Sequence, residues 1–408
     1  MSILHSKIKT KSGNKLLIER ELSFGGQGRV YLAHKIKTSK AVVVKIFNNK
    51  FNRKILLERI EFLISIQEKN SFEGIELPFD LIETKDLIGH CTAYIDSISL
   101  EDYLMNSTSS ITERLETALS IAKQFKHLHG LGIAHGDIRA QNFLIQTEKR
   151  NLNVHCIDID NFNHASAPEP NMVGEALYLS PEQRDKLSND TYYPPTIETD
   201  LYQLGILFHE IVLLLHPAHG NDNTQEELEN AMSGVWKLDP TVSKETKNIS
   251  ISILNNQLCN LFRLALVQCP KKRTTTDNWI KAFQNAIERI YHCPKCNTPT
   301  IVDSSKIFCP QGHLFELLSL ANAKTNKKLC LNGKSFFIGR AQFNDDIRIS
   351  NKQLLISRIG PELWVEHIGT NPTKYKQNGV WLDLPKYKKI KLCKNDFIKI
   401  MKHELKII

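Results

Sequence analysis

The residues best suited to chemistry are His135, Asp137 and Asn142, which follow the pattern H-x-D-x-x-x-x-N. The apolar run FLI comes directly after Asn142, so the pattern predicts a loop that enters a strand. A second carboxylate, Asp158, lies in the apolar segment VHCIDID. With this spacing Asp137 can face a substrate hydroxyl while Asn142 and Asp158 hold a metal ion beside a phosphate. The alternative is two ordinary turn acids, since Asp is common in turns.

A glycine-rich hairpin and a strand lysine lie upstream of this loop. Gly25, Gly26 and Gly28 stand between two apolar strands in LLIERELSFGGQGRVYLAHK. Because glycine has no Cβ, backbone N–H groups there can close over phosphates. A plain hairpin turn is the alternative. Lys45 lies near the end of the strand-like run AVVVKIF, and a lysine inside a strand requires a charged partner.

The helix expected after this strand offers a partner for Lys45. Apolar spacing predicts a helix over residues 52–67, and both Glu58 and Glu61 lie on it. We favour Glu58, because Phe62 then lies one turn further on and faces the core. The sequence therefore predicts an ion pair between Lys45 and Glu58.

Together these features resemble the catalytic and metal loops of protein kinases and of the related small-molecule phosphotransferases. Three distant matches favour the protein kinases for residues 1–291. They are Glu182 in the segment SPE, Asp200 in TDLYQLG and Arg273 in CPKKRTTTDNW. The resemblance implies that Arg273 forms an ion pair with Glu182. The small-molecule enzymes generally lack these three features, so the resemblance implies a bilobal kinase fold of the α+β class.

The resemblance implies ATP as the phosphoryl donor, with Mg²⁺ as its metal. Asp137 is then the base that accepts the proton of a substrate hydroxyl, and Asn142 and Asp158 coordinate Mg²⁺. Lys45, oriented by Glu58, holds the α- and β-phosphates. The glycines expected over the phosphates are Gly25, Gly26 and Gly28.

Several positions depart from the kinase pattern. Ser23 replaces the first glycine of the loop, and Asp160 replaces the glycine of the usual D-F-G. Gly136 stands where many kinases carry Arg, which implies activity that does not wait for phosphorylation of the activation segment. Arg139 and Glu175 replace a usual Lys and Thr, so we predict an ion pair between them that orders the substrate floor. Ser23 and Asp160 support the alternative of a pseudokinase scaffold.

A cluster of metal-binding residue types follows the kinase-like region. Cys293 and Cys296 form C-x-x-C, and Cys309 and His313 form C-x-x-x-H. Three thiolates and one imidazole suit tetrahedral Zn²⁺, and a site with four protein ligands is structural. The segment resembles a zinc ribbon. The alternative is four unconnected residues.

From residue 328 the sequence alternates between short strands and turns, which predicts an all-β sandwich. The segments FFIGR, ISNKQLLI and IGTNPT resemble those of a forkhead-associated (FHA) domain. The resemblance implies that Arg340 and Ser350 bind a phosphothreonine phosphate and that Asn371 binds the peptide backbone. Gln353 departs from the family, which usually has a structural His there. A basic β-sandwich that binds nucleic acid is the alternative, disfavoured because base-stacking aromatic residues are not evident.

Composition and charge limit the classes of protein and of partner that fit this chain. Of 408 residues, 41% are hydrophobic and 24% charged, as in a globular protein. Residues 324–408 hold 18 Lys and Arg against 7 Asp and Glu, although the whole chain carries only +9. This basic region predicts a phosphorylated or polyanionic partner, or else a solvated lysine-rich face. The N-terminal segment lacks an apolar signal sequence, and the cysteines outside the proposed metal cluster are scattered, so we expect a cytoplasmic protein with no membrane partner.

The sequence therefore predicts a serine/threonine protein kinase with a zinc ribbon and an FHA-like reader of phosphothreonine. We expect four parts, at residues 1–97, 98–291, 292–316 and 317–408. The arrangement resembles stress- and tellurite-resistance-associated bacterial kinases, which accompany von Willebrand factor A proteins and a PP2C-type phosphatase. The expected partners are those proteins and protein substrates, rather than nucleic acid. The alternatives are a pseudokinase scaffold and a small-molecule kinase.

Overall fold

The computed structural model separates the chain into two compact units. One contains residues 1–244 and 259–285, and the other contains residues 245–258 and 286–408. The four-part division expected from the sequence stays a prediction. The structure describes residues 3–106, 108–148, 151–170, 174–189, 191–219, 224–234, 236–241, 249–303, 306, 308–315, 318–329, 335–359 and 361–408.

The first unit begins with an antiparallel six-stranded sheet, in the order β1-β2-β3-β4-β6-β5, and one helix. Strand alternation places Leu16, Ile18 and Val44 in its core. Asn52 caps the helix, because its side chain accepts the first N–H groups, and the helix runs slightly beyond the predicted residues 52–67. The elements are β1 (Lys7–Lys9), β2 (Lys15–Phe24), β3 (Gly28–Lys35), β4 (Ala41–Phe47), α1 (Arg53–Lys69), β5 (Asp80–Glu83) and β6 (Ile88–Ala93).

The remainder of the first unit is mainly helical. Ser110 and Glu113 form a capping box that starts its longest helix. The apolar stretch 204–215 lies mostly in a buried helix. In the described part of the chain, no helix is long and apolar enough to cross a membrane. The elements that follow β6 are β7 (Ile98–Ser99), α2 (Leu100–Asn106), α3 (Ile111–Gly130), β8 (Phe143–Glu148), β9 (Asn151–Cys156), α4 (Pro181–Ser188), α5 (Ile197–Leu213), α6 (Thr224–Ser233), α8 (Asn256–Ala265) and α9 (Thr276–Ile287). Between α6 and α8 lies α7 (Ile249–Ser252), which belongs to the second unit.

The second unit contains α7, a short hairpin and two antiparallel sheets. The hairpin is β10 (Ile290–His292) with β11 (Pro299–Ile301). The sheets have the orders β12-β20-β19-β16-β17 and β13-β14-β15-β18, and both contribute buried aliphatic residues to one core. Their strands are β12 (Leu320–Asn322), β13 (Ser335–Ile338), β14 (Leu354–Ile359), β15 (Glu362–His367), β16 (Thr373–Gln377), β17 (Val380–Asp383), β18 (Lys389–Leu392), β19 (Phe397–Ile400) and β20 (His403–Ile407).

Candidate active site

A buried carboxylate fixes the backbone of the loop that carries Asp137. Asp200 on α5 accepts the N–H of His135 at 2.7 Å and the N–H of Gly136 at 3.0 Å. Gly136 has a φ of +82°, and a Cβ at this position would lie 2.7 Å from Pro195 Cγ. The loop conformation therefore requires glycine where many protein kinases carry Arg.

The catalytic loop brings its polar side chains together. Asn142 donates from Nδ2 to Asp137 Oδ2 at 3.1 Å, and Asn161 donates to the same oxygen at 3.3 Å. The N–H of Ile157 donates to the carbonyl of Asn142 at 2.9 Å, which brings the following residue, Asp158, beside the loop. Asn142 and Asp158 offer hard oxygen ligands, which is the donor type that Mg²⁺ prefers. These two residues could hold the metal that the sequence predicts.

Lys45 on β4 points toward these acids. Its ammonium forms ion pairs with Asp158 Oδ1 and, at 2.5 Å, with Asp160 Oδ2, and the lysine side chain is only 8% exposed. It also donates to Gln27 Oε1 at 3.2 Å. Burial alone would lower the pKa of the Lys45 ammonium, but the charges of Asp160 and Asp158 raise that pKa above its ordinary value. The lysine is therefore held as a cation inside the site.

The predicted ion pair between Lys45 and Glu58 is wrong. The Glu58 side chain is 62% exposed, and the alternative, Glu61, is 49% exposed. Ile60 and Leu63 mark the buried stripe of α1. Consecutive helix residues are about 100° apart, so both glutamates point away from this stripe.

Three further residues complete the site, and the sequence patterns do not assign them to it. Asp160, which replaces the glycine of D-F-G, contacts Lys45 through its side chain and accepts from His90 on β6 at 2.9 Å. Arg59 is buried on the inner face of α1 and pairs with Glu169 at 2.7 Å. A charged residue inside an apolar stripe was the available signal for Arg59. His90 had no comparable signal, because its role depends on the strand opposite.

The glycine-rich hairpin joins β2 to β3 above the site. A Cβ on Gly28 would lie 2.1 Å from a carbonyl oxygen of β4, so this glycine permits close strand packing. Gly25 and Gly26 have no atom within 4 Å of such a Cβ. Gln27, at the tip, hydrogen-bonds to Asn161. The predicted phosphate contacts of the glycines stay a prediction.

The predicted ion pair between Arg139 and Glu175 is confirmed. Arg139 Nη1 lies 2.8 Å from Glu175 Oε2, and Arg139 Nε lies 3.5 Å from Asp137 Oδ1. Arg139 therefore links the candidate base to the segment that leads into α4. The effect of this pair on a substrate stays a prediction.

A second predicted ion pair, between Glu182 and Arg273, is also confirmed. Both Glu182 oxygens accept from the Arg273 guanidinium at 2.7 Å, in a bidentate arrangement. The Arg273 side chain is fully buried. Burial alone would raise the pKa of Glu182, but the hydrogen bonds and charge of Arg273 lower that pKa below its ordinary value.

The second unit contains a cluster of four potential metal ligands. One ligand atom from each of Cys293, Cys296, Cys309 and His313 lies within 4.8 Å of all the others. Hydrogen bonding with Thr298 lowers the pKa of the Cys296 thiol to about 6, which favours the thiolate that binds metals. The four residues predicted to bind a metal are thus gathered in one place.

The three residues predicted to bind phosphothreonine lie on neighbouring loops. The Ser350 hydroxyl donates to Asn371 Oδ1 at 3.1 Å, and the backbone N–H of Arg340 donates to the carbonyl of Ser350 at 3.1 Å. We call Arg340, Ser350 and Asn371 the C-terminal loop cluster. Gln353 is fully buried and donates to the carbonyl of Asn371 at 2.6 Å, so it braces the cluster where a structural His was expected.

Comparison with known proteins identifies the first unit. The protein kinase domain family model matches residues 17–287. A probable serine/threonine-protein kinase of Clostridium perfringens is 27% identical over 322 residues, which cover 77% of this chain and 43% of that protein. The serine/threonine-protein kinase PrkC of Bacillus subtilis is 26% identical over 57% of this chain and 36% of its own length. A Corynebacterium efficiens protein named as a serine/threonine-protein kinase is 23% identical over 74% of this chain and 56% of its own.

The chain thus spans between about a third and a little over half of the length of these three relatives. The family model covers well over half of the chain, and the matched region contains the catalytic loop, the strand lysine and both predicted ion pairs. The chain belongs to the protein kinase family.

Proposed function

We propose that this protein is an ATP-dependent serine/threonine protein kinase. The observation that carries the proposal is the gathering of Lys45, Asp137, Asn142 and Asp158 around one site. The relatives named as serine/threonine-protein kinases support the same substrate class.

In the proposed mechanism Asp137 accepts the proton of the substrate hydroxyl as that oxygen attacks the γ-phosphorus of ATP. The bond between this phosphorus and the β,γ-bridging oxygen breaks, and ADP leaves. Hydrogen bonds from Asn142 and Asn161 orient the Asp137 carboxylate, and Asp200 holds the loop backbone. Asn142 and Asp158 would hold Mg²⁺, which neutralises phosphate charge when bound. Lys45 would contact the α- and β-phosphates beneath the glycine-rich hairpin.

The test is incubation of the full chain with Mg-ATP, followed by intact-mass measurement and mapping of modified residues. Wild type is compared with Asp158→Ala and with Asp86→Ala, a control that removes an exposed acid. Added mass on wild type and on the control, but not on Asp158→Ala, supports the kinase. A nucleotide-dependent melting shift without any added mass, on the chain or on a generic peptide, would favour the pseudokinase scaffold. Labelling of sugars or antibiotics alone would favour a small-molecule kinase.

We further propose that the second unit reads phosphothreonine through its C-terminal loop cluster. Arg340 donates from Nε to the carbonyl of Ile349 and from Nη2 to that of Ile347, each at 3.2 Å. These carbonyls orient the guanidinium without neutralising its charge, and the Ser350 hydroxyl lies on the adjacent loop. A guanidinium and a hydroxyl together suit a phosphate monoester. Binding of phosphothreonine peptides, compared with their unphosphorylated forms, tests this proposal.

We also propose that Cys293, Cys296, Cys309 and His313 bind a structural Zn²⁺. Three of their ligand-atom separations are 3.6, 3.7 and 3.8 Å. Bonds of about 2.3 Å in a tetrahedron separate ligand atoms by about 3.8 Å, so the spacing supports this geometry. Metal analysis should find one zinc per chain, which Cys296→Ser loses together with thermal stability. Cys393→Ser removes an exposed cysteine of the same unit and should retain the metal.

For partners, we propose protein substrates and a phosphothreonine-containing protein in a cytoplasmic signalling or stress response. The sequence resemblance suggests a von Willebrand factor A protein and a PP2C-type phosphatase. The basic charge of residues 324–408 supports a phosphorylated partner. Purified candidate proteins, with and without phosphatase treatment, should bind wild type but not Arg340→Ala. Binding that survives phosphatase treatment would argue against this mode.

A further inference from the structure

Both carboxylates that contact Lys45, those of Asp158 and Asp160, come from the loop that follows β9 rather than from helix α1, and Asp160 is the more buried of the two. Asp160 Oδ2 lies 2.5 Å from Lys45 Nζ, and the Asp160 side chain is 6% exposed. Its other oxygen accepts from His90 Nε2 at 2.9 Å. His90 stands directly opposite Lys45 in the pairing of β4 with β6. The lysine, the aspartate and the histidine therefore form one buried cluster.

Helix α1 presents a cation to the same loop. Arg59 donates to the backbone carbonyls of Asp160 at 2.7 Å, Phe162 at 2.6 Å and Ala167 at 3.0 Å. Its guanidinium also pairs with Glu169 at 2.7 Å, and both side chains are buried. A glutamate on this face of α1 would meet carbonyl oxygens instead of the N–H donors it needs. The helix is thus built to hold the loop through a positive charge.

Each oxygen of the Asp160 carboxylate has a buried partner, because Lys45 contacts Oδ2 and His90 contacts Oδ1. The two glutamates of α1 that could have paired with Lys45 lie near other lysines. Glu58 lies 3.9 Å from Lys54 on the outer face, and Glu61 lies 2.5 Å from Lys11.

We infer that Asp160 is the positioning residue for Lys45, and that Arg59 couples helix α1 to the loop that carries Asp160. This inference rests on the proposed kinase function and deepens it. Asp160 lies two residues after Asp158, so the lysine and the proposed metal ligand are held by one short segment. Arg59 and this segment therefore give α1 a direct connection to the carboxylates that contact Lys45.

The test compares Asp160→Asn with Glu58→Gln and Glu61→Gln, all in the full chain. The first readout is calorimetric binding of a non-hydrolysable ATP analogue with Mg²⁺. Asp160→Asn should keep a stoichiometry of one but bind about tenfold more weakly, because a charge-assisted contact to Lys45 is lost. A purely structural defect would instead lower the stoichiometry. The two glutamate variants should bind like wild type.

The second readout is peptide phosphorylation. Asp160→Asn should lower kcat about a hundredfold, since a displaced lysine misplaces the phosphates. Asp160→Glu retains a carboxylate and should recover part of both the affinity and kcat. Wild-type affinity in Asp160→Asn, or an equal loss in Glu58→Gln, would overturn the inference. If Asp160→Asn fails to fold, the exposed glutamate variants still decide, because a loss of affinity in either one would overturn it.

Failure of the proposed kinase function would give a different result from failure of the inference about Asp160. A wild-type chain that binds the analogue but labels no protein would remove the kinase function. The affinity differences among the variants would then still test the position of Asp160.

Discussion

The two units hold their functional cations in different ways. In the first unit, Lys45, Arg59 and Arg273 are buried and each contacts at least one carboxylate. In the second unit, Arg340 is partly exposed and donates to two backbone carbonyls. Within the residues that the structure describes, Arg340 has no carboxylate partner.

The two arrangements suit two different tasks, which are the alignment of a phosphoryl group for transfer and the binding of a phosphorylated ligand. A carboxylate neutralises a buried cation and fixes its place, which suits a site where a phosphoryl group must be aligned. Carbonyl dipoles fix the direction of a guanidinium but leave its charge available to an anion. The first unit therefore suits transfer of a phosphate, and the C-terminal loop cluster suits binding of one.

Asp137→Asn should abolish most of the phosphoryl transfer to a peptide while leaving phosphopeptide binding intact. Removal of a general base costs about 10²- to 10⁴-fold in kcat. The measurement is phosphorylation of a generic peptide, with Asp86→Asn as the control for loss of an exposed acid. An equal loss of phosphothreonine binding by the second unit would break the contrast between the two units.

Glu182→Gln should destabilise the first unit, because it leaves the buried Arg273 guanidinium without its charged partner. Loss of one partner from a buried pair costs about 3–5 kcal/mol. The folded-state pKa of Glu182 is lowered, so this stabilisation is present above the unfolded-state pKa and is lost as pH falls through the folded-state pKa. Urea unfolding should show a difference from wild type at neutral pH that shrinks in acid. Glu61→Gln, at an exposed pair, is the control, and a difference that does not change with pH would contradict the assignment.

Arg340→Ala should weaken phosphopeptide binding but leave ATP turnover unchanged. Hydrogen bonds to a charged group contribute about 1.5–3 kcal/mol, so affinity should fall about 10- to 100-fold. Fluorescence anisotropy with a labelled phosphothreonine peptide measures the change. Lys406→Ala removes a positive charge near the C-terminal end of β20 and serves as the control. Equal losses from the two variants would indicate general attraction to a basic surface.

Glu175→Gln should have the smallest effect. Its ion pair with Arg139 is partly exposed, and such pairs contribute about 0.2–1 kcal/mol, which limits the loss of kcat/KM to about fivefold. Peptide phosphorylation at low salt measures this loss. Asp277→Asn breaks an exposed pair with Lys126 away from the catalytic loop and is the control. Unchanged activity in Glu175→Gln would remove the proposed role in ordering the substrate floor.

Local spacing predicted the parts of the site that lie close together along the chain. Asp137 and Asn142 share one loop, and strand β4 has the bounds of the β-branched run that contains Lys45. The C-x-x-C pair at Cys293 and Cys296 is likewise local. Such features depend on turns and on strand periodicity, which a few neighbouring residues determine.

A lysine inside a strand needs a carboxylate partner, and this requirement is predictable from the sequence. The identity of the partners, Asp158 and Asp160, depends on tertiary packing. Lys45 and Asp160 are far apart in sequence, and their contact depends on how the loop that carries Asp158 and Asp160 packs against the sheet. Glu58 and Arg59 are adjacent on α1, so a rotation of about 100° decides which of them faces the loop. The backbone carbonyls of that loop select the guanidinium, because carbonyl oxygens accept hydrogen bonds and cannot donate them.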